Sequence, residues 1–383
     1  MPIFGKPFMN VLITGGAGFI GRHLITALQS QGHALTVVDN FSPQVHDSRS
    51  VVDFKEFFGG TLIEGDVRDR AVWERSLPGQ DAVVHLAAET GTGQSMYEVQ
   101  RYEAVNIGGT ACLLDVLVNG GAPTVKKLVV ASSRAVYGEG LYGCPTHGDV
   151  QPTGRLDADL DRREFDPRCP KCDVFVDTKP TSEDCGFAPT SMYGLTKQVQ
   201  EQMVLMYAAT LGISGVALRY QNVYGPGQSL NNPYTGILAI FSNLAREGRP
   251  IQVFEDGHES RDFVYVGDVV DATLKSLDDS VQGVHALNVG SGTPTSVLQV
   301  AHEIVAYFGS SSSISVTGAY RKGDIRHNVA DLRNAQRVLG FNASVPFAIG
   351  LRQFLEWASK NEVGKGTYES SLAELRAKGL LVG

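Results

Sequence analysis

A glycine-rich segment, TGGAGFIG at residues 14–21, follows the apolar run NVLIT at residues 10–14. Its glycines at 15, 18 and 21 form a G-x-x-G-x-x-G pattern that opens a helical stretch. The first glycine permits a tight turn, the middle one admits a pyrophosphate close to the backbone, and the third lets helix and strand pack closely. Because the strand–turn–helix context is present, the segment predicts a dinucleotide-binding loop.

Acidic residues follow the second and third strand candidates. Asp39 lies 24 residues after Gly15, where a carboxylate accepts the adenosine ribose hydroxyls and repels a 2′-phosphate. The sequence therefore predicts NAD as the cofactor, in preference to NADP. Asp66 has two interpretations: it hydrogen-bonds the adenine, or it caps the helical pattern DVRDRAVW at residues 66–73.

Short β-branched runs alternate with helical patterns on both sides of this loop. The strand candidates are nearly all apolar, as expected for parallel strands covered on both faces. They lie at residues 10–14, 34–39, 61–64, 81–86, 127–132 and 214–219. The alternation predicts an α/β fold, a Rossmann doubly wound parallel sheet with a smaller C-terminal α/β substrate-binding lobe. We expect an NAD-binding Rossmann domain at 9–218 with a Cys-rich module inserted at 143–188, a mainly substrate-binding lobe at 219–363 and a C-terminal tail at 364–383.

The composition excludes several classes of protein. The 383 residues are 43% hydrophobic and 19% charged, which excludes a disordered chain. A net charge of −8 argues against a general nucleic-acid binder. No apolar run reaches the roughly 18 residues of a membrane span, and residues 1–10 lack the apolar core of a secretory signal. With five cysteines and no export signal, we expect a cytoplasmic protein whose thiols are reduced or metal-bound.

Tyr193 and Lys197 are four residues apart at the start of a helical pattern, so their side chains share one face. A lysine ammonium and a nicotinamide cation both favour the phenolate and lower the pKa of the tyrosine. Such a tyrosine takes a proton from a substrate hydroxyl while hydride leaves the same carbon. Ser133, after the strand candidate at 127–132, can hydrogen-bond the same oxygen. The alternative is a solvated helix face, because Y-x-x-x-K is a common pattern.

Further motifs lie between about residues 10 and 330. They are GDV at 65–67, HLAA at 85–88, Asn106 with GT at 109–110, SS at 132–133, VYG at 136–138, RYQNVYGP at 219–226, RDFVYV at 261–266 and NVG at 288–290. Together with the glycine loop and the Tyr193/Lys197 pair, they resemble the extended short-chain dehydrogenases/reductases of the NAD-dependent nucleotide-sugar epimerase/dehydratase family.

The resemblance implies roles for individual residues. Ser133, Tyr193 and Lys197 would be catalytic, with Ser133 also touching the sugar. Asn222 and Arg261, helped by Arg321 or Arg326, would hold the diphosphate of a nucleotide-sugar substrate; the alternative for Arg261 is a surface ion pair with Asp262. The cofactor would be bound by Gly15, Gly18, Phe19, Ile20, Asp39, Asn40, Asp66, Val67, Leu86, Ala87, Ala88, Asn106, Tyr193 and Lys197.

The residues after Ser133 indicate which reaction to expect. Sugar-nucleotide 4,6-dehydratases carry Asp-Glu there as acid and base, whereas this chain has Arg134-Ala135. The resemblance therefore implies a 4-epimerase, which oxidises C4 to a 4-keto intermediate and returns hydride to the other face. One alternative is a sugar-nucleotide oxidoreductase. Another is a non-catalytic NAD sensor, which the intact Tyr193/Lys197 pair disfavours. The family also implies a homodimer, and Glu89 is expected to face the sugar without an assigned role.

Residues 143–188 interrupt the alternation with a segment rich in Pro, Asp, Arg and Cys. Cys144-x-x-His147 and Cys169-x-x-Cys172 form two short pairs, which predicts one structural, tetrahedral zinc. The rival interpretations are reduced free thiols, or Cys185 in place of one ligand. The insertion resembles that of 4-epimerases that interconvert dTDP-L-rhamnose and dTDP-6-deoxy-L-talose, and we expect these substrates. The alternative is a UDP-hexose 4-epimerase of the glucose/galactose type.

Overall fold

The computed structural model describes residues 8–120, 122–230, 236–361 and 367–383. Its strands are β1 (Asn10–Thr14), β2 (Ala34–Asp39), β3 (Thr61–Glu64), β4 (Ala82–His85), β5 (Lys127–Ser133), β6 (Tyr142–Cys144), β7 (Gly148–Val150), β8 (Asp177–Thr178), β9 (Ser214–Tyr220), β10 (Asn222–Tyr224), β11 (Ile251–Val253), β12 (Ser260–Tyr265), β13 (Val284–Val289), β14 (Pro294–Ser296), β15 (Ile314–Val316), β16 (Tyr320–Arg321), β17 (His327–Asn328) and β18 (Leu381–Val382).

The helices complete the list of elements. They are α1 (Phe19–Ser30), α2 (Ser48–Phe57), α3 (Arg70–Ser76), α4 (Thr92–Ser95), α5 (Val99–Tyr102), α6 (Gly109–Val118), α7 (Asp157–Asp161), α8 (Met192–Leu211), α9 (Ile237–Arg246), α10 (Val266–Ser276), α11 (Val297–Phe308), α12 (Arg333–Leu339), α13 (Phe347–Ser359) and α14 (Thr367–Ala377), with a π-helical turn at Glu103–Gly108 and a 3₁₀ turn at Arg134–Tyr137. Among the described residues, none of these helices is long and apolar enough to cross a membrane.

A seven-stranded sheet forms the centre of the molecule, in the order β13-β9-β5-β4-β1-β2-β3. All its neighbouring strands are parallel, and the order runs outward from β1 in both directions, which confirms the predicted doubly wound fold. Six strands match the predicted runs to within one residue at each end. The seventh, β13, comes from the segment 219–363, and β9 spans the predicted boundary at 218. That division into domains stays a prediction.

Helices cover both faces of this sheet. Val11 and Ile13 of β1 belong to one apolar layer with Leu24 of α1, whereas Leu12 belongs to the opposite layer with Trp73 of α3. Each buried apolar Å² contributes roughly 25 cal/mol, so burial on both faces favours the nearly continuous apolar runs seen in the sequence.

Two glycines of the first turn have no room for a side chain. Gly15 has φ +68°, and a Cβ there would lie 2.8 Å from the backbone nitrogen of Ala87. A Cβ on Gly21 would lie 2.5 Å from the carbonyl oxygen of Gly16. A side chain at position 15 would push the glycine loop away from the end of β4, and one at position 21 would push α1 away from the loop. Close packing therefore accounts for the glycine pattern.

A smaller lobe with its own apolar core lies beyond the sheet. In it β12 pairs with β10 in parallel and with β14 in the antiparallel sense. Phe241 of α9, Ile304 of α11 and Phe354 of α13 belong to the same buried cluster. The last two elements, α14 and β18, also fold back onto this side of the molecule, because β18 pairs with β16.

The Cys-rich module at 143–188 folds on a separate, much smaller core. β7, β6 and β8 form a three-stranded antiparallel sheet. Its buried cluster consists of Tyr142, Cys144, Val150, Cys169 and Val176. A core of this size supplies little stability by itself, and modules of this kind are usually held together by disulfides or a metal.

Candidate active site

A cleft of about 390 Å³ opens where β1, β2, β4 and β5 end, beside the glycine loop. We call it the dinucleotide cleft, because strand ends and a helix N-terminus meet there as they do in nucleotide-binding sheets. The predicted residues that line it are Gly15, Gly18, Phe19, Ile20, Asp39, Asn40, Asp66, Val67, Leu86, Ala87, Ala88, Ser133, Tyr193 and Lys197.

Asn106 stands one layer behind the wall of this cleft. It is fully buried in the π-helical turn, and its side-chain oxygen accepts a hydrogen bond from the Glu89 amide at 2.8 Å. Its side-chain nitrogen donates to the Thr196 hydroxyl at 3.0 Å. Asn106 therefore ties the loop after β4 to α8, and its direct contact with a cofactor stays a prediction. Glu89 itself lines the cleft and pairs with Arg101 at 2.8 Å.

Asp39 is buried at one end of the cleft. Its carboxylate accepts hydrogen bonds from the backbone nitrogens of Ala17 and Phe41, both at 2.9 Å. His46 Nε2 lies 3.7 Å from the same carboxylate, and burial lowers the pKa of His46. A neutral imidazole adds no positive charge beside Asp39, so the carboxylate repels a second anion placed next to it.

Asp66 lines the cleft beside Asp39, and it does not cap the following helix. The N-cap of α3 is Asp69, whose side chain accepts a hydrogen bond from the Ala71 amide. The capping interpretation of Asp66 is therefore wrong. Hydrogen bonds from the Arg68 guanidinium hold the pKa of Asp66 at about 2, and Asn40 donates to the same carboxylate at 3.2 Å.

A second cavity, of about 360 Å³, adjoins the dinucleotide cleft; we call it the substrate cavity. Ser133 and Tyr193 line both cavities, whereas Lys197 lines the dinucleotide cleft. Two residues predicted at the diphosphate, Asn222 and Arg261, line the substrate cavity. Ser133 and Tyr193, predicted to be catalytic, therefore stand where the two cavities meet.

The helix α8 positions Tyr193 and Lys197 one turn apart. Its N-cap is Ser191, and Tyr193 lies in the first turn. Lys197 Nζ donates to the carbonyl of Ala131 at 2.9 Å and to Gln200 Oε1 at 2.8 Å. Burial lowers the pKa of Lys197 to about 7. Both hydrogen bonds hold the amine at the floor of the cleft, in reach of a ligand there.

Arg134, which in the sequence marked only a departure from the Asp-Glu pair of the dehydratases, lines the substrate cavity and acts on Tyr193. Burial raises the pKa of the Tyr193 phenol, and a hydrogen bond with Ser133 and the charge of Arg134 oppose this. Arg134 Nε donates to Asn222 Oδ1 at 2.9 Å. Burial, and then repulsion from Arg261, lower the pKa of Arg134 to about 10, so it remains a cation near neutral pH. Its position directly after Ser133 is the feature of the sequence that could have indicated its place in the site.

Arg261 is buried at the edge of the substrate cavity. Its Nη2 donates to Asp324 Oδ1 at 3.0 Å. Asp262 is fully buried and accepts hydrogen bonds from the amides of Ser291 at 2.7 Å and Gly292 at 2.9 Å. The alternative of a surface ion pair between Arg261 and Asp262 is therefore wrong.

The structure also distinguishes between Arg321 and Arg326, the two residues predicted to assist Arg261 at the diphosphate. Arg321 lines the substrate cavity, and its Cζ lies 5.0 Å from the centroid of the Phe254 ring. Arg326 is occupied by carboxylates, at 2.7 Å from Asp256 and 2.8 Å from Asp166. Arg321 is thus the one in a position to meet a ligand.

The four predicted metal ligands come together in the Cys-rich module. Cys144 Sγ lies 3.6 Å from His147 Nδ1 and 3.7 Å from Cys172 Sγ. Cys169 Sγ lies 3.5 Å from the same His147 nitrogen. All four ligand atoms are within 4.8 Å of one another, and among the described residues this group does not include Cys185.

Fold and site together define a Rossmann enzyme in which a dinucleotide cleft meets a substrate cavity at a Ser/Tyr/Lys set. The model of the NAD dependent epimerase/dehydratase family matches residues 11–157 and 172–290, and the chain belongs to this family. The interruption between the two matched segments falls within the Cys-rich module.

Individual relatives agree with the family. The chain is 38% identical over 353 residues to the dTDP-L-rhamnose 4-epimerase of Burkholderia thailandensis, which covers 92% of this chain and 95% of that protein. The crystal structure of UDP-glucose 4-epimerase from Thermotoga maritima with UDP-glucose is similar with a TM-score of 0.73 and 29% identity, over 92% of this chain and 99% of that one. The UDP-glucose 4-epimerase of Thermus thermophilus in complex with NAD gives a TM-score of 0.71 and 27% identity, over 92% and 100%.

We expect Asp39→Asn to weaken NAD binding on the order of tenfold and to relax discrimination against NADP, because a hydrogen bond to a charged group contributes about 1.5–3 kcal/mol. The amide removes the charge and keeps one acceptor for the loop amides. Dissociation constants for both cofactors measure the effect, and Asp53→Asn on the exposed side of α2 is the matched control. A wild-type protein that binds NAD and NADP equally would contradict this assignment.

Proposed function

We propose that the protein is an NAD-dependent nucleotide-sugar 4-epimerase, which oxidises C4 of the sugar to a ketone and then reduces it on the other face. The observation that carries the proposal is that Ser133 and Tyr193 line both the dinucleotide cleft and the substrate cavity. A carbon held at that partition has a cofactor on one side and a proton-transfer group beside it. The epimerases among the relatives support the same reaction.

The donor set of the cleft fits NAD. Gly15 and the loop after it leave backbone exposed at the start of α1, which suits a pyrophosphate. We assign the pyrophosphate to Gly15, Gly18, Phe19 and Ile20, the ribose to Asp39 and Asn40, the adenine to Asp66 and Val67, and the central part of the cofactor to Leu86, Ala87 and Ala88. When bound there, NAD accepts a hydride from C4 and gives it back.

Tyr193 exchanges the proton of the C4 hydroxyl. Ser133 hydrogen-bonds the same oxygen, and its hydrogen bond to Tyr193 favours the phenolate. The positive charge of Arg134 also opposes the effect of burial on the phenol, and Lys197, one turn further along α8, would add a second positive charge when it is protonated. In the second half of the reaction Tyr193 returns the proton to the new alcohol. Between the halves the 4-keto sugar turns to present its opposite face.

Dehydration is the competing reaction in this family, and the residues after Ser133 disfavour it. Elimination of water needs an acid and a base at those positions. Arginine has no acceptor and stays protonated, and Arg134 is already bound to Asn222. Ala135 carries only a methyl group, so neither residue can remove a proton from the sugar.

For the substrate we propose dTDP-L-rhamnose and dTDP-6-deoxy-L-talose. Asn222, Arg261 and Arg321 line the substrate cavity. Both Nη atoms of Arg261 already donate to protein oxygens, so a diphosphate there would meet the positive charge of Arg261 and the guanidinium donors of Arg321. The dTDP-L-rhamnose 4-epimerase among the relatives supports this sugar. A UDP-glucose/galactose-type 4-epimerase is the second candidate, supported by the epimerase structures with the same fold.

We expect the purified protein to convert dTDP-L-rhamnose into dTDP-6-deoxy-L-talose without any added reductant, because the hydride returns to the sugar. The products of separate incubations with dTDP-L-rhamnose and UDP-galactose, resolved by chromatography and NMR, test both candidates. Turnover of UDP-galactose alone would replace the first substrate with the second. If neither sugar is converted although NAD is bound, the 4-epimerase assignment to these substrates fails.

We expect Tyr193→Phe to reduce turnover by roughly 10²–10⁴-fold while NAD binding is retained, because a proton-transfer group contributes about that much and the ring packing is unchanged. Initial rates and a cofactor dissociation constant are the measurements. Tyr207→Phe, in the half-buried part of the same helix, is the matched control. More than half of the wild-type activity in Tyr193→Phe would remove this residue from the mechanism.

We also propose that Cys144, His147, Cys169 and Cys172 bind one structural zinc. In a tetrahedral site with Zn–S of about 2.3 Å and Zn–N of about 2.0–2.1 Å, neighbouring sulfur atoms lie about 3.8 Å apart and sulfur lies about 3.5–3.6 Å from nitrogen. Cys144 Sγ and Cys172 Sγ are 3.7 Å apart. His147 Nδ1 lies 3.5 Å from Cys169 Sγ and 3.6 Å from Cys144 Sγ. The arrangement is thus that of ligands around a common centre.

The backbone around these residues supports the same site. The Lys171 amide points at Cys169 Sγ at 3.5 Å, which favours a thiolate. β6 and β7 place Cys144 and His147 on one tight loop. Since the core of the module is so small, metal binding would supply much of the free energy that orders it. Four protein ligands close the site, so its role is structural.

We expect the protein purified without chelator to contain close to one zinc per chain. Cys169→Ser and Cys172→Ser should each lower the zinc content and the thermal stability, because each removes one ligand. Cys185→Ser is the matched control, since that thiol lies in the same module outside the ligand group. A wild type without zinc, or a loss of zinc in Cys185→Ser, would overturn the assignment.

A homodimer in the cytoplasm is our proposal for the working state. Val99 of α5, Val118 of α6, and Leu195 and Met206 of α8 are exposed apolar side chains. Because α5 and α6 both contact α8, these side chains belong to one helical layer suited to a second copy. The five cysteines form no disulfide in the described part of the chain, which is compatible with a reducing compartment.

A further inference from the structure

The C-terminal helix α14 forms part of the wall of the substrate cavity. Tyr368, Ser371 and Leu375 line that cavity, and their spacing of three and four residues places them on one face of the helix. The sequence of this tail carries no motif that indicates a function.

Strand pairing and an apolar cluster hold the tail to the strand that carries Arg321. β18 runs antiparallel to β16, with Leu381 opposite Arg321. Leu372, Leu375 and Leu381 form a buried cluster with Ala319. The tail therefore supports one of the proposed diphosphate ligands as well as the wall beside it.

Polar contacts anchor α14 at two further points. Tyr97, just after α4, donates a hydrogen bond to Glu374 at 3.0 Å, and Lys378 Nζ lies 4.5 Å from the centroid of the Tyr97 ring. At the other end of the helix, Glu369 pairs with Arg249 after α9. The helix thus bridges the segment after α4 and the segment between α9 and β11 in the smaller lobe.

Leu375 packs against α4, the short helix that supports Tyr193. A Cβ on Gly93 would lie 3.7 Å from Leu375 Cδ2, so the leucine packs over this glycine. Two residues on, Ser95 Oγ accepts a hydrogen bond from the backbone nitrogen of Tyr193 at 3.0 Å. Gly93 and Leu375 line the substrate cavity together with Tyr193. Leu375 therefore lies on the part of the cavity wall that adjoins the contact between α4 and Tyr193.

We propose that Leu375 and the adjoining face of α14 retain the 4-keto sugar between oxidation and reduction. This inference rests on the proposed 4-epimerase function. A 4-keto sugar that rotates in the site must exchange its directional hydrogen bonds. An apolar wall beside a glycine keeps the sugar enclosed and does not hold it with one face toward the cofactor. If the ketone escapes, C4 has lost one hydride to NAD and the hydroxyl proton to Tyr193, so the enzyme is left with NADH and cannot finish the cycle.

Leu375→Ala tests the wall, with Leu372→Ala as the matched control. Both leucines belong to the same cluster and are similarly buried, at 5% and 6% exposed, and only Leu375 of the two lines the cavity. With dTDP-L-rhamnose, we expect Leu375→Ala to accumulate absorbance at 340 nm and to lose activity during turnover, and we expect fresh dTDP-L-rhamnose not to restore it. Leu372→Ala should show the same kinetic behaviour as the wild type, although its melting temperature should equal that of Leu375→Ala. Two folded variants that behave alike overturn the proposal.

Hydrogen exchange on the wild-type protein provides an independent measurement if Leu375→Ala does not fold. dTDP-L-rhamnose should slow amide exchange in α14 more than dTDP alone, with α13 as the internal reference. Equal protection by dTDP and by the sugar nucleotide overturns the role of α14 at the sugar. A wild type without epimerase activity on dTDP-L-rhamnose refutes the proposed substrate instead, and this outcome is distinct from either result on the tail.

Discussion

A single close approach between two stretches of backbone, at Gly15 and Ala87, sets the geometry on which the site depends. A Cβ on Gly15 would lie within 2.8 Å of Ala87, so only glycine lets the first turn descend beside the loop after β4. That turn brings the start of α1 to the same edge at which β4 and β5 end. Because Ser133 is the last residue of β5, the glycine loop and Ser133 lie at the same edge of the sheet, where we propose that cofactor and sugar meet.

Local sequence patterns were sufficient to predict most strands of the sheet and the residues that line the dinucleotide cleft. The apolar runs, the glycine spacing and the four-residue step from Tyr193 to Lys197 each depend on neighbours in sequence or on the common edge of a parallel sheet. Features set by distant contacts were not visible. Arg134 is directed by Asn222, 88 residues away, and Leu375 reaches the cavity through packing on Gly93 and on the cluster around Ala319. A π-helical turn around Asn106 likewise has no simple periodic signature.

A buried network of charges joins the Cys-rich module to the substrate cavity. Arg155 lies 3.3 Å from Glu139 and 2.8 Å from Glu255, and Arg326 lies 3.1 Å from Glu255. Removing such groups from water is costly, and their attraction offsets the cost only while the geometry is maintained. Since Glu255 lines the cavity, the order of the module and the shape of the cavity are coupled. Arg326, expected near the diphosphate, is thus the central cation of this network.

The position of β13 limits how this enzyme can be recombined with its relatives. β13 pairs with β9 along its whole length, yet β10, β11, β12 and two helices lie between them in the chain. The smaller lobe therefore begins as an excursion between two adjacent strands of one sheet. A chimera made by a single crossover near residue 218 would import a foreign edge strand along with the new lobe. Lobe grafting requires junctions on both sides of β13, so that the sheet stays with its original host.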